Sequence, residues 1–72
     1  MFTLYDFNAL SEQEKAEAVW RGSFLADREA AGLKVQLYRL DSFYVEVFYD
    51  PAANTILRFR AFTSNNLLVP YL

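Results

Sequence analysis

The chain has 72 residues, seven basic against nine acidic, and contains neither cysteine nor histidine. That length holds a single small domain, with no disulfide or thiolate metal site to staple it and no imidazole to act as general base. A net charge of −2 is too balanced for a basic nucleic-acid arm or an acidic tail.

Seven Phe, five Tyr and one Trp make 18 % of the residues aromatic. A chain this rich in rings is a folded, β-rich domain, because ordering it costs on the order of 100 kcal/mol that only extensive burial offsets. A core this small has little room for so many rings, so either it is very dense or some of them bury against a second copy. The opening MFTLYDFNAL lacks a basic n-region and holds Asp6, which does not fit a secretory signal. No apolar run approaches the ~18 residues that a membrane span needs. A cytoplasmic location is the default expectation.

Ser11-Glu12-Gln13-Glu14 is a capping box, and the spacing predicts a helix over residues 12–21. Ala16, Val19 and Trp20 fall on its apolar stripe, and Gly22 stops it. On this reading Trp20 is the core anchor of the helix, with an interface hot spot as the alternative. Residues 23–32 read either as a continued helix ending at Gly32 or as a strand over 24–29 followed by an Ala30-Ala31-Gly32 turn. The strand is preferred, since a continued helix would carry Gly22 in its interior at about 1 kcal/mol.

Beyond Gly32 the pattern is β: strands over 34–40 (KVQLYRL), 43–49 (FYVEVFY) and 55–62 (TILRFRAF), joined by Asp41-Ser42 and by the turn residues Asp50-Pro51-Ala52-Ala53-Asn54. Pairing Tyr49 with Thr55 sets Val47 against Leu57 and Val45 against Phe59 on one face. It sets Glu46 against Arg58, Tyr44 against Arg60 and Phe48 against Ile56 on the other. That second face holds Tyr44, Phe48, Ile56 and Phe62 where a solvated sheet would be polar, so it too should be covered. The N-terminal MFTLYDF, the segment Asn65 to Leu72, or another subunit are the possible covers. Pro70 would end a short helical turn in that last segment.

The run from Leu37 to Tyr49, the pattern Ile56-x-Arg58-x-Arg60-x-Phe62 and the closing Leu67-Leu68-Val69-Pro70-Tyr71-Leu72 resemble a group of short, uncharacterised bacterial proteins. The resemblance covers roughly residues 24–72 and implies an antiparallel sheet in a small soluble protein. It carries over no catalytic or ligand residue, and it favours the strand reading of residues 24–29.

For chemistry the candidates are sparse. Ser11, Ser23, Ser42, Thr63 and Ser64 have no histidine to activate them. Asp27 and Glu29 share a face at strand spacing, and two exposed acids near a turn are ordinarily just solvated. Two glycines cannot build a phosphate loop. No catalytic residue, cofactor or metal is expected. Glu46 is the residue whose burial would demand a partner, with Arg58 or Arg60 the candidates.

The expected architecture is therefore α+β: one domain spanning residues 1–72, an N-terminal helix packed on a three- or four-stranded antiparallel meander, and a short C-terminal helical turn. The expected role is a non-catalytic protein-interaction or self-association module. Its aromatic sheet face, built from Tyr44, Glu46, Phe48, Ile56, Arg58, Arg60 and Phe62, would take a second copy or a protein partner. The alternative is a single-stranded nucleic-acid binder using Arg58 and Arg60 with Tyr44 and Phe48.

Overall fold

The computed structural model describes residues 2–63. In chain order it contains α1 (Leu4–Asn8), α2 (Glu12–Trp20), β1 (Ser23–Ala30), β2 (Leu33–Leu40), β3 (Phe43–Asp50) and β4 (Thr55–Phe62). The four strands form one antiparallel meander in the order β1-β2-β3-β4, which is the α+β architecture expected. The helical turn expected near residues 65–72 lies outside the described residues.

Both helices start with a reciprocal cap. In α2 the Ser11 hydroxyl accepts from the Glu14 N–H at 3.2 Å, while the Glu14 carboxylate accepts from the Ser11 N–H at 3.0 Å. Thr3 and Asp6 repeat the arrangement at 3.2 and 3.0 Å and start α1, a helix the sequence reading did not foresee although Thr3-Leu4-Tyr5-Asp6 carries its signal. These hydrogen bonds to the ionised form hold the Asp6 and Glu14 carboxyls below the ordinary carboxylate range, the backbone N–H contributing most in each case.

The helix ends where Gly22 allows the chain to pass β2. A Cβ at position 22 would stand 2.7 Å from the Arg39 carbonyl oxygen and 2.9 Å from the Leu40 side chain. Residues 23–30 then run as a strand, as preferred. Ala31 and Gly32 both have positive φ (52° and 79°), the two-residue type I′ geometry that matches strand twist. Asp41 turns the next hairpin with φ 46°. In the last, Asp50 accepts from the Ala52 N–H at 3.0 Å, Asn54 takes φ 56°, and the Tyr49 hydroxyl hydrogen-bonds the Asn54 side chain.

The register of β4 differs from expectation. Asp50, not Tyr49, opposes Thr55, and the ladder passes from Tyr49↔Ile56 to Phe48↔Arg58, leaving Leu57 as the extra residue of a bulge. The shorter loop and the bulge each move the pairing by one residue. Glu46 therefore opposes Arg60 rather than Arg58, Tyr44 opposes Phe62 rather than Arg60, and Phe48 opposes Arg58 rather than Ile56. Val47 faces Phe59 and Val45 faces Ala61. Ile56 moves to the opposite face of the sheet. Strand β1 carries a matching bulge at Leu25. Both outer strands are thus kinked and charged, features that blunt sheet edges against extension.

One face of the sheet carries both helices. Phe7 and Val19 are fully buried there with Leu40, Phe43, Val45 and Val47, and Phe2, Tyr38, Phe59 and Ala61 pack around them. Phe7 sits among the rings of Phe2, Phe43 and Phe59 at centroid distances of 6.5, 5.9 and 6.2 Å. A ring buried so completely stabilises the fold by about 1.5–3 kcal/mol. Trp20 is not the core anchor of α2: Val19 points inward, and one residue later the helix has turned about 100° and carries the indole into solvent.

The second face is buried too. Val35, Leu37, Phe48 and Phe62 are each no more than 6 % exposed, and Glu46 is 1 % exposed. The N-terminal segment is not its cover, because Phe2 and Phe7 pack on the first face.

Candidate functional site

The residues named from sequence as an interface separate into two groups. Tyr44, Glu46, Phe48, Arg58, Arg60 and Phe62 share the second face, while Ile56 lies on the first. Within the second face the charges are satisfied by one another. Glu46 takes Arg28 at 3.1 Å from β1 and Arg60 at 3.5 Å from β4, one arginine on each carboxylate oxygen. Arg28 was not among the expected partners, since it approaches from a strand two away in the sheet. Arg58 lies over the Phe48 ring at 4.2 Å, and Tyr44 stacks on Phe62 at 5.5 Å with 24° between the planes. The rings a nucleobase would stack on already carry a guanidinium or another ring.

The first face is only partly roofed by the helices. Beyond α2, toward the ends of the strands at Lys34 and Tyr49, an apolar groove of about 320 Å³ remains open. Tyr38, Val47, Tyr49, Ile56 and Phe59 form its floor and walls, and Trp20 stands at its lip. Trp20 is 67 % exposed and Ile56 41 %, and Phe24 extends the aromatic surface by packing edge-on against Tyr38 at 5.6 Å. Gln36 and Lys34 supply its polar groups, and the Tyr38 hydroxyl donates to Gln36 at 3.3 Å. A concave apolar surface with a few placed polar groups is the usual form of a binding site. Sequence reasoning missed it because its residues come from α2, β2, β3 and β4 and only the bulge at Leu57 brings Ile56 to them.

A wider cleft of about 640 Å³ lies on the other side of α2, bordered by Glu14, Glu17, Arg21, Arg39 and Asp41. Its rim mixes both signs of charge around an apolar floor of Phe2, Leu10, Ala18 and Leu40. Asp27 and Glu29 share the first face opposite Gln36 and Lys34, and both are exposed. Among the described residues no group of three or more acidic side chains comes together in a way that could hold a metal ion, and no helix is long and apolar enough to cross a membrane.

No known family model matches this chain, and no curated protein or solved structure is detectably similar to it.

Proposed function

We propose that this chain is a non-catalytic protein-interaction module whose working surface is the aromatic groove of the first sheet face. The observation that carries the reading is Trp20. It is the chain's one tryptophan and stands two-thirds exposed over a groove lined by five further apolar side chains. Leaving an indole in water forfeits burial that a domain this small needs, and tryptophan is the residue type most concentrated at interface hot spots. The proposal takes the cytoplasm as the setting, with which a chain free of cysteine is compatible.

The single-stranded nucleic-acid reading draws less support. Arg60 is engaged by Glu46 and Arg58 by the Phe48 ring, so neither cation is set out as a phosphate contact beside an open stacking surface.

The test is site-directed photocrosslinking in cells that express the full chain, from a photoreactive phenylalanine analogue at position 56. A discrete crosslinked species that disappears when Trp20→Ser is added supports the reading. No discrete species, or one indifferent to Trp20→Ser, overturns it.

A further inference from the structure

We draw no further inference here: the strongest candidate, the apolar groove beside α2 with Trp20 at its lip, belongs to the site already described, and nothing in the structure shows what covers it.

Discussion

Glu46 on β3 accepts a hydrogen bond from Arg28 on β1 at 3.1 Å, reaching across the whole width of β2 between them. Arg60 closes on the other carboxylate oxygen from β4, so one acid ties together three strands that share no single ladder.

Truncating that acid leaves two guanidinium groups facing each other over an apolar surface. Breaking a buried charged cluster costs about 3–5 kcal/mol, against a total stability of roughly 4–10 kcal/mol for a chain of this size. Glu46→Ala is therefore expected to bring the protein close to unfolding at room temperature. The double change Glu46→Leu/Arg28→Leu should recover most of the loss, because Arg60 is nearly half exposed and can turn to water. Urea midpoints decide it: a Glu46→Ala midpoint within error of wild type would show that the cluster contributes nothing.

Ala31 occupies the first central position of the β1–β2 turn at φ 52°. An L-residue with a Cβ is disfavoured there by about 1–2 kcal/mol. Asn tolerates the conformation, and the following Gly32 already completes the preferred Asn-Gly pair. Ala31→Asn should raise stability by about 0.5–1 kcal/mol, seen as a rise of several degrees in Tm; an unchanged or lower Tm would contradict it.

The two glycines should respond to alanine for different reasons. At Gly22 the added methyl meets the Arg39 carbonyl oxygen at 2.7 Å, and a backbone atom in a paired strand does not move aside cheaply. At Gly32 nothing lies within 4 Å of the added atom, and the cost comes from φ 79° alone. Gly22→Ala is expected to lose about 1–3 kcal/mol by overpacking and to shift the amide resonances of residues 39 and 40. Gly32→Ala should lose about 1–2 kcal/mol with local changes only. Similar spectra for the two variants would refute the distinction.

Acid should loosen the helix starts first. The Asp6 and Glu14 carboxyls are held below their ordinary range by the caps, so their contribution to stability is complete above about pH 5 and drains away as pH falls below about 4. Protection of the Thr3 and Ser11 amides, which donate to these carboxylates, and with it that of the Asp6 and Glu14 amides in the same caps, should fall over that interval in wild type once the intrinsic pH dependence of exchange is divided out. In Thr3→Ala and Ser11→Ala it should already be low at neutral pH. Protection that is flat with pH in wild type would remove the caps from the account.

Much of this architecture is written locally. The Ser11-to-Glu14 cap, the punctuation at Gly22 and Gly32, the alternation in KVQLYRL and FYVEVFY, and the Asp50-to-Asn54 turn each act within a few residues of themselves. A reader of the chain therefore finds α2, the strands and their order, and the need of Glu46 for an arginine. Three features were decided only when the elements came together. The β3–β4 register depended on the four-residue loop and the Leu57 bulge, and it takes both one-residue shifts together to put Arg60 rather than Arg58 opposite Glu46. Arg28 became a partner because the sheet places β1 within a side chain's reach of β3, a separation of 18 residues that no local pattern encodes. Trp20 came to the surface because Val19, one residue earlier, is the α2 side chain buried in the cluster with Phe7, Leu40, Phe43, Val45 and Val47. Local chemistry set the elements. Packing chose their register, and with it the face on which each aromatic ring stands.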